Sequence, residues 1–576
     1  MKLYAYTLPQ VPEKAGWLKI GQTTGSIEKR INDQLSQAHL KAEIVLRESA
    51  AAGKNKVTDK EVHRELVQRG FVQDGNSEWF RCTAGDVRDA LNTVKERYRK
   101  EDKRKELEQK FYEELRNWYY WATEEHRSGL HRREYDADHA LRIIVRLLLI
   151  FFLKEKGLVP SELFQEEWLN ANLKEDEFGY YNVILRNLFF HSLNTPHNER
   201  GELENRNLIQ RYNKVKEALH KRIPFLNGGL FTEQSGDDFA LNDDYFFSKA
   251  RLKEIKALDK TCSVTGIIKI LSQYKYTLDE TDNSEFIDPE FVGNIFESLL
   301  ACIAADKKKN RRKITGSYYT PREIVNYMVN EALDTYLSTQ KDSDFENALL
   351  RCSILDPSCG SGAFPCGVMN VIMQRLDPNK TLTQDNRYQT KLKILRNVIY
   401  GIDIQPMAVH IASLRLFLSL LQEITPDKSK ANFGIEPLPN LDYKFAVADT
   451  LFGIDFNDLF FNEHRTEFLQ IQTLKADYFK ESIVSAKEHL RTQITAAEKE
   501  LADKSGNKGI QALCQWNHSD TQASPYFDSR WMFGIENFDI VIGNPPYGAK
   551  YPKEHKAYFL KHYESAKTAD INENGT

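Results

Sequence analysis

Four consecutive residues late in the sequence have types and an order suited to binding a flat substrate through hydrogen bonds. Residues 539–543 form an apolar, buried-type strand that runs directly into Asn544, Pro545, Pro546 and Tyr547. Two successive prolines fix two backbone torsions and remove two donors, so the loop is rigid and its carbonyl oxygens remain as acceptors. A stiff turn capped by an aromatic ring is the simpler interpretation. It does not explain why an amide comes first and an aromatic last.

Glycines at a predicted strand-to-helix turn form a second candidate site. The loop reads Asp356-Pro357-Ser358-Cys359-Gly360-Ser361-Gly362-Ala363-Phe364. Such glycines let the backbone approach a ligand, although they also suit a simple turn. The spacing is neither the dinucleotide fingerprint nor a phosphate-binding loop. Two later strand ends carry acids, Asp403 and Asp449, and a carboxylate in the first position can accept hydrogen bonds from both hydroxyls of a ribose.

These two loops, taken with residues 315–321, resemble the motifs of gamma-class DNA methyltransferases that act on exocyclic amines. The glycine loop resembles motif I, Asn-Pro-Pro-Tyr resembles motif IV, and residues 315–321 resemble motif X, in the order X, I, IV of that class. The resemblance implies S-adenosylmethionine as cofactor and double-stranded DNA as substrate. It also implies a flipped base whose amine donates to the Asn544 side-chain oxygen and the Pro545 carbonyl, with Tyr547 stacked on the ring.

The resemblance also assigns individual roles. The catalytic residues would be Asn544, Pro545, Pro546 and Tyr547. The cofactor would contact Tyr319, Thr320, Asp356, Pro357, Gly360, Gly362, Phe364, Asp403, Ile404 and Asp449. Asp403 would bind the ribose and Asp449 the adenine ring, although a solvated acid at a strand end is the alternative for Asp449. Adenine is favoured over cytosine as the target base only through the family.

Two upstream segments extend the resemblance to type IIG restriction-modification proteins. Residues 225–231 and 288–300 resemble segments that precede the methylase in that family, so the similarity covers residues 132–547. Asn-Pro-Pro-Tyr also occurs in methylases of release-factor glutamine and in some RNA methylases. The large helical region before motif X argues against those compact enzymes. We therefore predict a site-specific DNA adenine methyltransferase of a restriction-modification or phage-defence system.

The first strands of the sequence resemble the GIY-YIG nuclease superfamily, particularly its phage-associated variants. Tyr6, Lys19 and Arg30 match its catalytic positions, although Lys19 replaces a tyrosine that many members have. Glu61, with Asp59 as second choice, is the predicted ligand of one Mg²⁺. A phenol or amine would assist water attack, the arginine would neutralise developing charge, and the metal would bind the leaving oxygen. The alternatives are an inactive DNA-binding relic and an unrelated fold.

The elements that must position these residues follow from hydrophobic periodicity. We predict an α/β chain with a Rossmann-like methyltransferase core, in which four of seven expected strands are readable, preceded by a helical domain and a small GIY-YIG-like domain. The predicted boundaries are 1–91 for the nuclease-like domain, 92–131 for a helical connector, 132–310 for the helical domain, 311–550 for the core with a helical insert at 466–505, and 551–576 for a tail.

Composition narrows the class of protein. The sequence holds 41% hydrophobic and 28% charged residues, with a formal net charge of -4, which suits a globular protein. It shows no membrane-spanning run, signal peptide or paired cysteine spacing, so a cytoplasmic protein with reduced thiols is expected. The net charge does not exclude DNA binding, which depends on local charge.

The last strands of the expected core and a target-recognition domain are missing from the sequence pattern. We therefore keep a second hypothesis, in which the chain is a truncated product or half of a split enzyme. It would then bind DNA without catalysis and would need a partner polypeptide for the remaining strands and target recognition. A third hypothesis is a methylase with a purely structural N-terminal domain.

Overall fold

The computed structural model divides into two compact units, each with a hydrophobic core of its own. The first unit comprises Met1–Lys110 with Thr281–Glu285, and the second comprises Phe111–Glu280 with Phe286–Thr576. The structure describes residues 1–127, 137–226, 231–234, 236–279, 284–307, 320–340, 344–454, 463–481, 483–505, 508–515, 523–546 and 553–564.

An antiparallel sheet organises the first unit. Its strands are β1 (Lys2–Thr7), β2 (Leu18–Thr23), β3 (Glu43–Ser49), β4 (Ala51–Ala52), β5 (Asn55–Lys56), β6 (Val72–Gln73) and β7 (Trp79–Arg81), of which β4 and β5 form a separate pair. The main sheet has the order β3-β1-β2-β7-β6. Side chains alternate along β1, so Leu3 and Ala5 enter one hydrophobic cluster while Tyr4 and Tyr6 enter another. Both faces of this strand are therefore covered.

Three helices pack on this sheet. They are α1 (Ile27–Leu35), α2 (Asp59–Gln68) and α3 (Ala84–Arg127). The Ser26 side chain accepts a hydrogen bond from the Lys29 backbone and caps α1, while Thr58 and Glu61 form a capping box on α2. Helix α3 starts inside the segment predicted as the nuclease-like domain and continues without a break through most of the predicted connector. The connector is thus the continuation of a helix that begins in the first unit.

The first half of the second unit is mainly helical. Its helices are α4 (Ala137–Glu155), α5 (Glu166–Asn172), α6 (Tyr212–Lys216), α7 (Asp244–Phe247), α8 (Ile267–Ser272) and α9 (Pro289–Lys307), with π-helical turns at Tyr180–Leu185, Asn187–Ser192 and Glu217–Lys221. Strands β8 (Arg251–Ile255) and β9 (Lys260–Val264) form a hairpin, and β10 (Lys275–Tyr276) pairs in parallel with β11 (Phe286–Ile287).

Helix α4 is buried on all sides from residue 139 to residue 153, which is typical of a helix at the centre of a core. Its two arginines, Arg142 and Arg146, are buried and donate to Asp237 at 3.0 and 2.8 Å. Together with His139 they hold the pKa of the Asp237 carboxyl well below its usual range. Within the described residues, neither α4 nor any other helix is both long enough and apolar enough to cross a membrane.

A parallel sheet organises the second half of this unit. The elements in chain order are α10 (Arg322–Thr339), α11 (Phe345–Arg351), β12 (Ile354–Asp356), α12 (Ala363–Leu376), α13 (Gln384–Asn397), β13 (Ile399–Asp403), α14 (Pro406–Gln422), β14 (Phe445–Val447), α15 (Arg465–Lys480), α16 (Val484–Ser505), α17 (Lys508–Gln515), α18 (Ser529–Phe533), β15 (Ile540–Val541) and α19 (Lys553–His562). In the described part of the chain the strand order is β14-β13-β12-β15, with every pair parallel. Together with the intervening helices, this arrangement is consistent with a Rossmann-like methyltransferase fold.

The predicted insert at 466–505 forms a helical hairpin of α15 and α16. Three of its apolar side chains, Phe468, Ile471 and Leu501, are buried in the same cluster as Leu355 and Ile402 of the sheet. The Lys475 ammonium group is 5% exposed and donates to Glu498 at 2.8 Å, which neutralises its charge within the hairpin. The insert therefore covers one face of the parallel sheet and belongs to the core.

Candidate functional site

The parallel sheet gathers the predicted residues at one edge, because parallel strands end on the same side. Strand β12 ends at Asp356 and its neighbour β13 ends at Asp403, while β15 on the other side of β12 leads into Asn544. The pairing is in register, with Ile354 opposite both Ile399 and Ile540. Residues far apart in sequence therefore meet beyond the carboxyl ends of three adjacent strands.

The glycine loop after β12 has a backbone that only glycine adopts easily. Gly360 and Gly362 have φ angles of +51° and +85°. A side chain at Gly362 would also come within 2.9 Å of Ala412 on helix α14, so the loop packs directly on that helix. At Gly360 an added Cβ would have no atom within 4 Å. The loop thus has one face against protein and leaves open space at Gly360.

Asp403 joins the glycine loop to the end of β13. Its carboxylate accepts the Gly360 backbone N–H at 2.9 Å and the Gln405 backbone N–H at 2.8 Å. Burial raises the pKa of this carboxyl despite both bonds. Each oxygen keeps a lone pair for a further donor. The side chain of the next residue, Ile404, is 55% exposed, which is high for isoleucine and leaves apolar surface beside the acid.

Asp356 is the more deeply buried of the two acids. Its side chain accepts the Ser358 backbone N–H at 3.1 Å, and the residue is 2% exposed. Burial, with the negative charge of Asp403 nearby, raises the pKa of the Asp356 carboxyl to about 8. A cationic ligand would favour its ionised form. Binding of a positively charged group would therefore lower the pKa of the Asp356 carboxyl and release its proton.

The Asn-Pro-Pro loop comes directly against this acid. A Cβ at Gly543 would lie 2.5 Å from Asp356 Oδ1, so only glycine allows this approach. The next residue, Asn544, donates from its side-chain nitrogen to Thr320 Oγ at 3.1 Å. Its side-chain oxygen, the acceptor that the predicted reaction needs, takes no part in that bond. Pro545, the next residue of the loop, is exposed.

The remaining predicted cofactor contacts differ in how accessible they are to a ligand. Asp449 follows β14 and is half-buried, with its pKa raised by burial, and its neighbour Thr450 donates to the Pro357 carbonyl at 3.2 Å. This bond ties the third strand end to the glycine loop. Phe364 is 2% exposed on α12 and offers almost no surface for contact in this conformation. The predicted residues Tyr319 and Tyr547 lie outside the described residues.

The first unit places its predicted residues on one side of the sheet. Tyr6 on β1 lies directly opposite Lys19 on β2, and the Lys19 ammonium is 3.6 Å from Glu78. The ring of Trp79 meets that of Tyr6 edge to face with centroids 5.8 Å apart. Burial raises the pKa of the Tyr6 phenol to about 12, so Tyr6 is protonated at neutral pH.

Arg30 lies near the same face, beside the Tyr4 phenol, whose pKa is raised by burial and partly restored by the Arg30 charge. The phenol also lies 2.7 Å from where a Cβ of Gly21 would stand. This glycine therefore makes room for Tyr4 against β2, and Tyr4 in turn places Arg30 near the predicted nuclease residues.

The predicted metal ligand Glu61 is already used by helix α2. One carboxylate oxygen accepts from both the backbone and the hydroxyl of Thr58, at 2.8 and 2.7 Å, and the other accepts from the Tyr98 hydroxyl at 2.5 Å. The Thr-x-x-Glu spacing is a sequence signature of this capping role. No group of three metal-ligating side chains is gathered among the described residues. Glu78, beside Lys19, is an acid on the predicted active face; its position fits the pattern of the phage-associated variants, although Glu61 is the metal ligand predicted from the sequence.

Each match to a known protein family falls within one of the two units. Residues 287–465 match the N-6 DNA Methylase family. Residues 397–572 match the Eco57I restriction-modification methylase family, and residues 3–95 match the T5orf172 domain. The second unit thus contains segments similar to N-6 DNA methylases and to restriction-modification methylases, which confirms the prediction at that level. The resemblance of the first unit to GIY-YIG nucleases goes beyond its match to the T5orf172 domain, and it stays a prediction.

Two further proteins are similar to this chain. A protein of Methanocaldococcus jannaschii, described as a type II restriction enzyme and methyltransferase, is 26% identical over 71% of this chain and 41% of its own length. The chain therefore spans about two fifths of that relative. The type IIL restriction-modification enzyme MmeI, solved in complex with DNA, is 17% identical with a TM-score of 0.32, over 55% of this chain and 36% of MmeI. That likeness is too distant to support an argument about this chain.

Proposed function

We propose that the second unit transfers a methyl group from S-adenosylmethionine to the exocyclic amine of adenine in DNA. The observation that carries this proposal is the approach of Gly543, the residue before Asn544, to Asp356 at the ends of adjacent strands, while the Asn544 side chain is bound to Thr320. Methyl transfer needs an amine and a methyl donor held in line, and the closeness of the Asn-Pro-Pro loop to the candidate cofactor loop supports this reaction. The match of residues 287–465 to N-6 DNA methylases supports adenine as the base.

The candidate cofactor loop suits the chemistry of S-adenosylmethionine. Open space at Gly360 leaves room at the backbone, and the carboxylates of Asp403 and Asp356 bind the loop backbone at Gly360 and Ser358. Asp403 would accept hydrogen bonds from ribose hydroxyls, while Asp356 would ionise beside the positive charge of the methionine part. When bound, the cofactor supplies an electrophilic methyl group on sulfur.

The chain's own residues would prepare the amine. The Asn544 side-chain oxygen and the Pro545 carbonyl would accept its two N–H bonds, which draws its lone pair out of conjugation with the ring and points it at the methyl carbon. The amine nitrogen would take up the methyl group that the bound cofactor supplies, with the electrons of the C–S bond left on sulfur, and would then lose a proton to water. The work of the loop is positioning and electrostatic stabilisation.

Incorporation of tritium from labelled cofactor into DNA tests the proposal. Asn544→Ala should abolish labelling and the exposed Asn397→Ala should not. Nucleoside analysis should find the label on N6 of adenine. Label on cytosine would contradict the adenine assignment. DNA binding without labelling by the wild-type chain would favour the alternative of a non-catalytic protein that needs a partner polypeptide.

A second function is favoured by the face formed by Tyr6, Lys19 and Glu78 in the first unit. We propose that this unit cleaves DNA with one Mg²⁺, which needs only one or two carboxylates and otherwise keeps its waters. Glu78, with its side chain 47% exposed, fits that role better than Glu61, which is bound by Thr58 and Tyr98. Arg30→Ala should abolish Mg²⁺-dependent cleavage, with Lys29→Ala as control. Cleavage that survives Arg30→Ala would overturn this assignment.

A further inference from the structure

The glycine loop is held residue by residue from β13 and the helix that follows it. The Cys359 N–H donates to the Ile402 carbonyl at 2.7 Å, and the Gly360 N–H donates to Asp403 at 2.9 Å. Gly362 rests on Ala412 of α14. Ser361 lies in the middle of this series, between the residue bound to Asp403 and the residue packed on α14.

Ser361 is held by two charged side chains that come from different helices. Its carbonyl oxygen accepts from Arg415 Nη1 of α14 at 2.9 Å, and its hydroxyl donates to Glu297 Oε2 of α9 at 3.3 Å. Ser361 and Arg415 are each 3% exposed. Hydrogen bonds to charged groups in such surroundings are stronger than neutral ones. Arg415 and Glu297 therefore hold the glycine loop in place at Ser361.

Arg415 is an unusual residue for its place in the sequence. Helix α14 is otherwise almost entirely apolar where it is buried, and a buried guanidinium is costly unless its charge and donors are satisfied. Helix α9 leaves room for it with a glycine, because a Cβ at Gly293 would lie 2.6 Å from Arg415 Nη1. Gly293 also weakens α9, since glycine is a poor helix former. Gly293 and Glu297, four residues apart, share one face of α9.

We propose that Arg415 is a positioning residue for the candidate cofactor loop, acting through Ser361 and packed against Gly293 of α9. This rests on the proposed function of the loop as the S-adenosylmethionine site. Arg415 does not itself touch the cofactor in this proposal. It fixes the backbone at residue 361, and a shift there would move the Gly360 N–H away from Asp403, which would lower cofactor affinity.

Titration calorimetry of the full chain with S-adenosylmethionine tests this role. Arg415→Met should weaken binding at least tenfold, and Arg415→Lys should recover part of the loss by keeping a donor. The control is Arg387→Met, which removes an arginine that bonds Asp377 and Glu423 at 2.7 and 2.9 Å, away from the loop. It should lower thermal stability and leave cofactor affinity within twofold. In assays of methyl transfer, Arg415→Lys should raise KM for the cofactor with little change in kcat.

Gly293→Ala provides a second variant that does not remove a charge. Alanine favours a helix interior more than glycine does, so an effect on α9 alone would be stabilising. We expect it to weaken cofactor binding, because the new methyl group displaces the guanidinium. If Arg415→Met fails to fold, Gly293→Ala still tests whether Arg415 positions the cofactor loop. Unchanged affinity in the Arg415 and Gly293 variants would overturn this proposal alone, whereas a wild-type chain that binds no cofactor would overturn both it and the proposed methyl transfer.

Discussion

At the scale of single residues, Asp356 links the pH dependence of the chain to its proposed ligand. With a pKa of about 8, this carboxyl is neutral at pH 7, and a cationic cofactor must displace its proton. We expect affinity for S-adenosylmethionine to fall by up to tenfold per pH unit below pH 8, with proton release on binding. Calorimetry in buffers of different ionisation enthalpy measures both effects. An affinity that is constant from pH 6 to pH 8 would exclude this role.

The same carboxyl should make the folded protein less stable as the pH rises. Its folded pKa is raised above the ordinary 3.8, so its stabilising contribution is complete below about pH 4 and is lost as the pH rises through 8. Asp356→Asn should therefore be more stable than wild type at pH 9, by roughly 1–3 kcal/mol, although it binds no cofactor. Urea unfolding at pH 5 and pH 9 measures the difference, and the exposed Asp385→Asn should show none.

Gly543 tests how closely the Asn-Pro-Pro loop must approach Asp356. An added methyl group would lie 2.5 Å from Asp356 Oδ1 and would push Asn544 out of place. Gly543→Ala should lower the rate of methyl transfer about 100-fold, as expected for a displacement of roughly 1 Å at a reacting group. Gly201→Ala is the matched control, because nothing lies within 4 Å of its added Cβ. Full activity of Gly543→Ala would mean that the loop stands elsewhere during the reaction.

At the scale of elements, the capping box of α2 assigns a structural role to Glu61 and leaves Glu78 as the proposed metal ligand. Thr58→Ala should destabilise the first unit by about 1 kcal/mol and leave Mg²⁺-dependent cleavage unchanged where the protein is folded. Glu78→Gln should have the opposite pattern, with stability kept and cleavage lost. Thermal unfolding and a plasmid-nicking assay distinguish them. If cleavage by folded variants requires Glu61 but not Glu78, the metal ligand is Glu61, as the sequence predicts.

The helical insert supplies a prediction about packing. Leu501 on α16 is 1% exposed against the sheet, so Leu501→Ala should destabilise the second unit by about 2–5 kcal/mol. Leu469 on α15 of the same hairpin is 60% exposed, and Leu469→Ala should change the free energy of unfolding by less than about 0.5 kcal/mol. Equal effects in urea unfolding would show that the hairpin does not cover the sheet as described.

The sequence predicted the elements of the core better than their contacts. Apolar runs that end in acids located β12, β13 and β14, because buried parallel strands read as continuous apolar segments. The approach of Gly543 to Asp356 could not be read in the same way, since it depends on which strands become neighbours. The packing of the helical insert on the sheet could not be read from its charged composition, because its few buried residues are scattered among lysines and glutamates.

At the scale of the whole molecule, the two proposed activities lie on units with separate hydrophobic cores. Arg30→Ala should therefore abolish cleavage and leave methylation intact, and Asn544→Ala should do the reverse. Parallel assays of nicking and tritium incorporation on one DNA substrate measure both. Loss of both activities in either folded variant would mean that the two reactions depend on each other.

The strand order also has a consequence for how the protein is made. Strand β15 joins the sheet through two backbone pairs to β12, although the loop that it positions is synthesised roughly 140 residues after Asp403. At about 5–20 residues per second, a ribosome completes the glycine loop and Asp403 several seconds before Asn544 emerges. A nascent chain could thus bind its cofactor early, and docking of the catalytic strand would be a late step in folding, because long-range parallel pairing is slow.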